Sequence, residues 1–565
     1  MNKNLKAMRL LATGFLSLMM ALFAMTSCDS SANIEDYVQV TKSDPYDSSK
    51  PVTISSFTPG SGGVGQQLVI YGTNFGNDTS IVKVTIGGKD AVLVSVTSGA
   101  LYCYVPSGAF TGEVEVTVGA NASDQQTAVA SEKFNYQRKM VVGTLCGWQN
   151  ARDDQGWLDG PFSTCCGFRN DGVMQFSPYN HNQLFIVYDQ EPWWTGGHGI
   201  QLLDLAKKEV NTILPVSMFS NERLRTVDFA VDPYAYDEAG TITGIADATW
   251  SASATANQTR WKEHLIIAAD NYSNDYRAHC VYIIDRDANG DFSSSSAHRL
   301  LACYNQCNGA SLHPNGELYF SSYTNGEVMR LDMSKYWDTL VSGVEWDPYA
   351  RDNLHDINTD TSTGTGAFED LFTVQDTGWE FQIDIHPSGK YAYIVVINKH
   401  YMLRTDYNES THRFAAPYVI AGKMKTTGFA DGVGQSATMN RPYQGTFVKN
   451  DTYVKEGRDD IYDFYFCDSQ NNALRCLSPE GIVTTYAGGN ANSHADGKTY
   501  GSENGALRDV ARFNRPTGLV NDVHKDAISG ENTLIFYILD TKNARIRTIT
   551  MEENTDATAA KPAVK

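Results

Sequence analysis

From residue 51 onward the chain alternates apolar and polar positions over short runs, which is the pattern of half-buried β-strands. Glycine, proline, asparagine and aspartate separate the runs, as expected of turns between strands. Five of them precede residue 120, at 68–71, 82–86, 92–96, 101–105 and 113–118. Strands of this length and spacing predict a small all-β sandwich over residues 51–137.

Past residue 138 no long helix-period segment occurs, and a two-strand unit recurs instead. In each copy an apolar strand ends in a turn and a second apolar or aromatic strand follows. The six copies are VMQFSPYNHNQLFIVYD, TVDFAVDP…HLIIAADN, GASLHPNGELYFSSY, FQIDIHPSGKYAYIVVIN, QGTFVKND…YDFYFCDSQ and TGLVNDV…IFYILDTKN. With four strands per unit, they predict a six-bladed β-propeller over residues 138–552. The predicted fold class is therefore all-β throughout.

A second repeat supports the propeller. The segments that begin at residues 141, 419 and 484 each contain a strand, a glycine, a variable loop, an Asp-Gly pair and the next strand. The C-terminal blade supplies only three strands of its own. We therefore expect MVVGTL, at 140–145, to complete the last blade and close the ring without a long open edge.

Two family resemblances accompany these patterns. The motifs ISSFTPGSG, LVIYGTNFG, VTIGG and YVPSG resemble IPT/TIG immunoglobulin-like domains, which implies a role as a spacer or binding module. The pieces ARFNRPTGLV and YILDTKNARIRTI resemble NHL-repeat propellers. That resemblance implies a structural role, bonding turns within a blade, for residues of DSQNNALR and DTKNARIR: Asp468, Asn472, Arg475, Asp540, Asn543 and Arg545.

The N-terminus resembles a bacterial lipoprotein signal. A basic stretch precedes an apolar segment at 10–25, and AMTSC ends at Cys28. We expect residues 1–27 to be removed, Cys28 to be lipidated and 28–50 to form a flexible tether. An ordinary cleaved signal is the alternative. Glu35 and Asp36 are similar to the surface-export signals of Bacteroidetes lipoproteins, so the predicted location is the outer membrane, facing outward. Residues 553–565 are predicted to be a disordered tail.

Charge and cysteine content restrict the partners. A formal net charge of −20 argues against nucleic acid and anionic lipid, since both require clustered Lys and Arg. It also makes polyanionic glycans less suitable, although a local basic patch could override it. The nine cysteines after Cys28 have no metal-ligand spacing, and no cofactor or metal is predicted. Cys467 and Cys476 could form a cross-strand disulfide or remain buried thiols.

The segment EPWWTGGHG places two tryptophans in a glycine-rich turn, where little core is available. In a propeller whose strands are lettered A to D from the axis outward, the D–A and B–C connections emerge on one face, here called the mouth face. The turn is a B–C connection and falls there. Residues assigned to ligand binding on this face are Trp148, Trp157, Trp193, Trp194, His198, Tyr276, Arg277, Tyr323, Trp379, Arg441 and Tyr443.

Indole faces stack on sugar rings while Asp, Asn and Arg bond the hydroxyls, so the cluster predicts a glycan ligand. The alternative is a lid of loops packed over their own aromatic rings. Candidate carboxylates for hydrolysis are Asp153, Asp154, Asp159, Asp189 and Glu191. His198 and His400 could serve as a base, but no catalytic motif is present and no catalytic residue is predicted.

Three functions follow from this pattern. The first is a non-catalytic surface lipoprotein that binds a polysaccharide or oligosaccharide for an uptake system, with a TonB-dependent transporter as partner. The second is a propeller glycoside hydrolase or polysaccharide lyase. The third is a protein–protein scaffold or adhesin.

Overall fold

The computed structural model describes residues 43–552 with internal gaps, and the chain divides after Arg138 into two compact units. The gaps are 107–108, 110, 149–156, 190–198, 220–222, 271–278, 304–306, 323–325, 347, 349–367, 375–379, 492–495 and 527–528. The predicted signal peptide, Cys28, most of the tether and the tail lie outside the described residues. No helix within the described part is long and apolar enough to cross a membrane.

The first unit is a β-sandwich. Its strands are β1 (Thr53–Thr58), β2 (Ser61–Gly62), β3 (Gln67–Thr73), β4 (Val82–Ile86), β5 (Lys89–Asp90), β6 (Val92–Thr97), β7 (Ala100–Tyr104), β8 (Val114–Val118), β9 (Gln126–Val129) and β10 (Asn135–Tyr136). The order β1-β3-β7-β6 forms one sheet and β5-β4-β8-β9 the other, while β10 pairs with β2 in parallel. Alternate residues of β3, β4 and β8 are buried, which confirms the period-2 prediction.

The described residues of the second unit form six blade sheets and one separate two-stranded sheet in the insertion of blade 2. Blade 6 shares the closing strand β11 (Met140–Cys146), and blade 1 contains β12 (Gly160–Pro161), β13 (Gly172–Ser177), β14 (Asn180–Tyr188), β15 (Ile200–Asp204) and β16 (Glu209–Leu214). Blade 2 contains β17 (Arg223–Val231), β20 (Glu263–Asp270), β21 (His279–Arg286) and β22 (Phe292–Cys303). Its insertion carries β18 (Tyr234–Tyr236), β19 (Ile242–Ile245), α1 (Ala248–Ser253) and α2 (Ala256–Arg260).

Blade 3 contains β23 (Cys307–Leu312), β24 (Leu318–Ser322), β25 (Glu327–Leu331), α3 (Ser334–Ser342) and β26 (Phe368–Thr373). Blade 4 contains β27 (Phe381–Ile385), β28 (Tyr391–Val396), β29 (Tyr401–Asn408), β30 (Arg413–Phe414) and β31 (Tyr418–Ala421). Blade 5 contains β32 (Gly432–Val433), β33 (Pro442–Lys449), α4 (Asp451–Glu456), β34 (Tyr462–Asp468), β35 (Ala473–Leu477) and β36 (Ile482–Gly488). Blade 6 adds β37 (Gly505–Ala506), β38 (Pro516–Lys525), β39 (Asn532–Asp540) and β40 (Arg545–Met551).

The six innermost strands form a closed ring. Each contacts the next, from β13 through β17, β23, β27 and β33 to β38, and β38 contacts β13 again. The closing strand β11 pairs with β40 from Met140 opposite Met551 onward. The N-terminal strand therefore completes the last blade, as predicted, and the six-bladed propeller is confirmed.

One side chain links three of the inner strands. The Gln444 side chain on β33 accepts hydrogen bonds from the backbone N–H groups of Met174, at 2.9 Å, and Leu519, at 3.0 Å. Its amide nitrogen donates to the Met174 carbonyl at 2.7 Å. Gln444 thus holds the inner strands of blades 5, 6 and 1 together.

The second sequence repeat folds as a recurring edge strand. Short strands β12, β32 and β37 each pair with the outermost strand of their own blade, namely β16, β36 and β11. Asp159 and Asp431 precede the first two, whereas Asn504 precedes the third. The Asp-Gly pair at 496–497 therefore lies earlier in its loop than the repeat predicted, and Asp496 instead pairs with Arg512 at 2.8 Å.

The NHL-like residues bond turns within blades, with two corrections. Asp468 accepts from Arg475 at 2.7 Å and Asp540 from Arg547 at 2.9 Å, all four side chains being fully buried. The buried arginine of blade 6 is therefore Arg547 and not Arg545. The amide that bonds Asp468 belongs to Asn471, at 2.8 Å. Asn472 instead accepts a hydrogen bond from the Arg515 N–H on the mouth face.

Candidate functional site

Charged residues stand at the start of the inner strands, where the D–A connections reach the mouth face. Asp171, Glu380, Arg441 and Arg515 immediately precede β13, β27, β33 and β38, and Arg223 begins β17. The B–C connections emerge on the same face because neighbouring strands run antiparallel. Blades 1, 2, 4, 5 and 6 thus place a charged side chain around one opening, here called the mouth ring.

Blades 1, 2 and 4 are joined by ion pairs in this ring. Asp189, which follows β14, accepts from Arg225 at 2.6 Å and from Arg223 Nε at 2.8 Å. Arg225 also lies 3.4 Å from Glu380, which in turn pairs with Arg441 at 3.1 Å. Linked charge-assisted bonds of this kind hold each other in place. We did not predict Arg223 and Arg225, although the alternation in RLRTVDF places both at the start of an inner strand.

Two asparagine-arginine-proline turns present their arginines in a strained backbone conformation. Arg441 has φ 56° and Arg515 has φ 59°, in the left-handed region that ordinary residues avoid at a cost of about 1–2 kcal/mol. The Arg441 N–H donates to His400 Nδ1 at 3.0 Å, and that of Arg515 to Asn472 Oδ1 at 2.9 Å. The B–C turn of blade 4 therefore fixes Arg441 in blade 5, and the B–C turn of blade 5 fixes Arg515 in blade 6.

Electrostatics explains the role of His400 in this arrangement. Burial lowers its pKa, and the positive charges of Arg441 and Lys399 lower it further. The imidazole is therefore neutral near pH 7 and has a lone pair with which Nδ1 accepts the Arg441 N–H. His400, a candidate base in the sequence, instead positions Arg441.

Asp171 holds the other arginine of the ring. Its carboxylate pairs with the Arg515 guanidinium through Nη2. Burial raises the pKa of Asp171, and the charges of Arg515 and Arg441 oppose that effect. The Arg515 Nε is buried and has no hydrogen-bond partner among the described residues. The Nη2 atom of Arg515 is therefore occupied by Asp171, whereas its Nε is not hydrogen-bonded to any described residue.

A cavity of about 720 Å³ opens beside this pair, between blades 5, 6 and 1. We call it the mouth pocket. Its lining combines three cationic side chains, four amides, a hydroxyl and an aromatic ring: Arg169, Arg515, Lys542, Asn170, Gln470, Asn472, Asn514, Thr541, Tyr500 and, as the apolar member, Ala544. No carboxylate, histidine or cysteine belongs to this lining within the described residues. The pocket is rich in hydrogen-bonding groups.

Two aromatic side chains at the pocket remain accessible. Tyr500, in the lining, is 45% exposed, and the Lys498 ammonium lies 5.3 Å from its ring centre. Trp148 is 38% exposed, and its indole N–H donates to the Thr164 carbonyl at 3.4 Å. Gly147 precedes Trp148 and lies against Ala544 so closely that a Cβ would sit 2.5 Å from the Ala544 oxygen. Trp148 is thereby held near the pocket edge.

Two other predicted ligand residues pack inward. The Trp157 ring meets the Tyr188 ring edge-on at 4.6 Å and lies against Gly167. Tyr443 is only 3% exposed and belongs to the main core. The Tyr443 ring has no face open to a ligand, so for this residue the prediction of stacking is wrong. Trp157 is half-buried, and its contacts with Tyr188 and Gly167 are those of the packed-lid alternative, while its role in ligand binding stays a prediction.

The remaining predicted ligand residues lie outside the described residues. They are Trp193, Trp194, His198, Tyr276, Arg277, Tyr323 and Trp379. Asp153, Asp154 and Glu191 lie outside them as well. Of the other two carboxylate candidates, Asp159 bonds Thr212 and Gln201, and Asp189 is occupied by the arginines described above.

The cysteines whose side chains the structure describes are free thiols: Cys103, Cys146, Cys165, Cys166, Cys307, Cys467 and Cys476. Cys467 is paired with Leu474 across the sheet and Cys476 with Tyr465, so the two sulfurs are not opposite each other. Of the two alternatives, the structure has the thiols. In the same part of the chain, no three His, Cys, Asp or Glu side chains are grouped as metal ligands.

Comparison with known proteins finds relatives of both units of the chain. Residues 51–136 match the IPT/TIG domain family. No curated protein matches the chain. A Bacteroides thetaiotaomicron crystal structure named "Putative phosphatase" is 44% identical, with a TM-score of 0.74, over 90% of this chain and 99% of its own.

Two further crystal structures are named auxiliary nutrient binding protein. The one from Bacteroides thetaiotaomicron is 36% identical, with a TM-score of 0.67, over 90% of this chain and all of its own. The one from Bacteroides ovatus is 29% identical, with a TM-score of 0.55, over the same shares. Since identity and coverage are this high across both units, the chain belongs to the family formed by these Bacteroides proteins.

Proposed function

We propose that this protein is a non-catalytic cell-surface lipoprotein that captures a polysaccharide or oligosaccharide nutrient at the mouth pocket. The observation that carries the proposal is the lining itself, in which four amide side chains stand beside the accessible ring of Tyr500. Amides both donate to and accept from sugar hydroxyls, while an aromatic face covers the apolar C–H surface of a sugar ring.

The pocket is also built to keep its shape. Asn472 is fixed by its bond to the Arg515 N–H, and the Thr541 hydroxyl donates to the Arg515 carbonyl at 2.7 Å. The Lys542 N–H donates to the Asn514 carbonyl at 3.0 Å. A lining fixed by its own backbone loses little conformational freedom on binding, which favours affinity.

The names of two relatives favour capture over chemistry, because both are called auxiliary nutrient binding proteins. Catalysis would need a nucleophile or an acid–base pair near the ligand. Among the described lining residues there is no carboxylate, imidazole or thiol to supply one. One relative is nevertheless named a putative phosphatase. The binding experiment should therefore also measure whether any reaction product forms, although we expect none.

The proposed setting is the outer membrane. Lipidation at Cys28 would anchor the chain, residues 28–50 would form the tether, and the IPT/TIG unit would act as a spacer. The propeller would then present its ligand to a TonB-dependent transporter.

The test is affinity electrophoresis of the soluble protein, without residues 1–28, in gels that contain plant, microbial or host glycans. Trp148→Ala combined with Tyr500→Ala removes both accessible rings, and we expect a loss of about tenfold in affinity for the retained glycan. Tyr418→Ala is the matched control, because Tyr418 is 49% exposed on blade 4 and lies outside the pocket. It should bind as the unmodified protein does.

Each outcome has a distinct meaning. Retardation by one glycan class that depends on the two rings, with no new chain ends after incubation, supports capture. New chain ends would show an enzyme. An unmodified protein that no glycan retards would overturn the proposal and favour a protein partner.

A further inference from the structure

Two thiols meet where the propeller ring closes. Cys146 is the last residue of the closing strand β11 and lies opposite Ile546 on β40. Cys165 belongs to the connection between β11 and the inner strand of blade 1. The two thiols are hydrogen-bonded to each other. Both side chains are buried, and both belong to the hydrophobic cluster formed by blades 6 and 1.

The chain that leaves the closing strand runs beside residues 164–168. A Cβ on Gly147 would sit 2.8 Å from the Phe168 ring, so the backbone of Gly147 packs closely there. The Trp148 indole N–H donates to the Thr164 carbonyl at 3.4 Å. Contacts on either side of the two thiols thus hold the two segments together.

The turn that carries Cys165 fixes the position of this residue. Its backbone N–H donates to the Pro161 carbonyl at 2.9 Å, and its thiol donates to the Phe162 carbonyl at 3.8 Å. The contact with Cys146 is therefore made by a residue whose backbone is already held in place. Little conformational freedom is lost when a covalent bond replaces such a contact.

The two thiols differ in acidity. Burial raises the pKa of the Cys146 thiol. The hydrogen bond from Cys146 lowers the pKa of the Cys165 thiol, and the Gly147 N–H acts in the same direction, although burial opposes both. The thiolate is the nucleophile in thiol–disulfide exchange. Cys165 is therefore the residue that attacks first, and Cys146 the residue that completes the exchange.

We propose that Cys146 and Cys165 are oxidised by a disulfide oxidant to a disulfide that locks the ring closure of the propeller. The Cys165 thiolate attacks one sulfur of the oxidant, breaks its S–S bond and releases the first thiol. Cys146 then loses its proton and attacks the Cys165 sulfur of the mixed disulfide, which releases the second thiol. The protein loses two electrons and two protons, and the oxidant gains them as its two thiols.

The bond would join the end of the closing strand to the connection that enters blade 1. Because the ring closes through the pairing of β11 with β40, a crosslink at this point opposes its opening. It also restricts the unfolded chain by closing a loop over residues 147–164. The inference goes beyond nutrient binding. Outside the cytosol, where the proposed surface location places the chain, thiols are not kept reduced.

The experiment uses the soluble protein lacking residues 1–28, reduced in one sample and equilibrated with oxidised glutathione in two others, one native and one refolded from urea. Trypsin cleaves after Arg152, so Cys146 and Cys165 fall in separate peptides, 140–152 and 153–169. Mass spectrometry of the non-reduced digest should find these two peptides linked. The thermal unfolding midpoint of the linked protein should be about 3–6 °C above that of the reduced protein.

The adjacent Cys166 provides the matched control, because it lies in the same tryptic peptide as Cys165. Cys165→Ala should abolish both the linked peptides and the rise in unfolding temperature. Cys166→Ala should retain both. Thermal unfolding of each variant in reductant checks that it is folded.

Two results would overturn the proposal. The first is that peptides 140–152 and 153–169 stay unlinked in both oxidised samples of the unmodified protein. The second is that the link persists in Cys165→Ala, which would assign it to Cys166. Either result leaves the proposed function standing, because glycan capture does not depend on this bond.

Discussion

In blades 1 and 5 an aspartate before the edge strand bonds the two outer strands of its blade, and we call this arrangement the edge device. The residues that bond this aspartate differ between the two blades. In blade 5, Asp431 before the edge strand accepts from Thr485 on the outermost strand and from Arg475 on the third strand. In blade 1, Asp159 accepts in the same way from Thr212 and Gln201. The inner partner differs as well. Arg475 pairs with the buried Asp468, whereas Gln201 accepts from the Tyr188 hydroxyl at 2.7 Å.

The comparison also explains an aromatic position. Phe429 stands two residues before Asp431 and covers the Arg475 guanidinium at 5.0 Å. Trp157 stands two residues before Asp159 and covers the Tyr188 ring. Blades 1 and 5 therefore share the same arrangement, with the Arg475–Asp468 ion pair of blade 5 replaced in blade 1 by the neutral Gln201–Tyr188 pair. Trp157 is therefore the counterpart of Phe429 in blade 1, which accounts for its contact with Tyr188.

The largest expected effect comes from a substitution that breaks the ion pair of blade 5. Arg475→Met leaves Asp468 buried without its cation, and we expect a loss of about 3–5 kcal/mol in the free energy of unfolding. Gln201→Met removes only neutral hydrogen bonds in blade 1 and should cost about 1–3 kcal/mol. Chemical denaturation of both variants measures the difference. Equal losses would mean that the two blades do not differ in the way described.

These blades show how far the sequence alone could go. The six strand pairs and the ring closure follow from local pattern, because alternation and turn residues are visible in a single segment. The Asp-Gly repeat locates the edge strand in blades 1 and 5 but not in blade 6. The exchange of Asp468 and Arg475 for Tyr188 and Gln201 is invisible in sequence, since it depends on which side chains face each other across a sheet.

The mouth pocket illustrates the same limit. Connectivity assigned Trp148, Arg441 and Arg515 to one face, and the structure has Arg441 and Arg515 in the mouth ring. It could not distinguish the exposed Trp148 from the half-buried Trp157. Lys542 and Arg169 were not predicted, because their place in the pocket lining depends on how the loops of the first and last blades fold.

The next effect concerns the two tryptophans themselves. Trp157→Ala removes a half-buried covering ring and should lower the free energy of unfolding by about 2–3 kcal/mol. Trp148→Ala removes an exposed ring and should change stability by less than about 0.5 kcal/mol. Thermal and chemical unfolding of the two variants in parallel provide the measurement. A comparable loss for Trp148→Ala would assign that ring to packing rather than to a ligand.

The smallest effect tests a similar contrast between two carboxylates of the inner strands. Asp228 accepts from the backbone N–H groups of Leu312 and Phe229, each at 2.8 Å, whereas Asp384 Oδ2 has no partner in the described chain. Burial, and then the charge of Asp228, raise the pKa of Asp384 to about 8. The native state thus retains a proton that the unfolded chain has already released above pH 4.

Stability should therefore fall as pH rises from about 4 to 8 and level off above pH 8, because only the folded chain keeps the Asp384 proton over that range. Asp384→Asn cannot ionise, so it should lose this part of the pH dependence and be more stable than the unmodified protein by about 1–2 kcal/mol at pH 8. Urea unfolding at pH 5, 6.5 and 8 measures both quantities. A variant with an unchanged pH profile would contradict the raised pKa.

The central claim is that ligand binds in the mouth pocket between blades 5, 6 and 1. A crystal structure of the soluble protein with the glycan that retards it in gels tests that claim directly. The account predicts sugar density in contact with Tyr500 and the amides of the pocket. Density seated elsewhere, on the IPT/TIG unit or on the opposite face of the propeller, would contradict it.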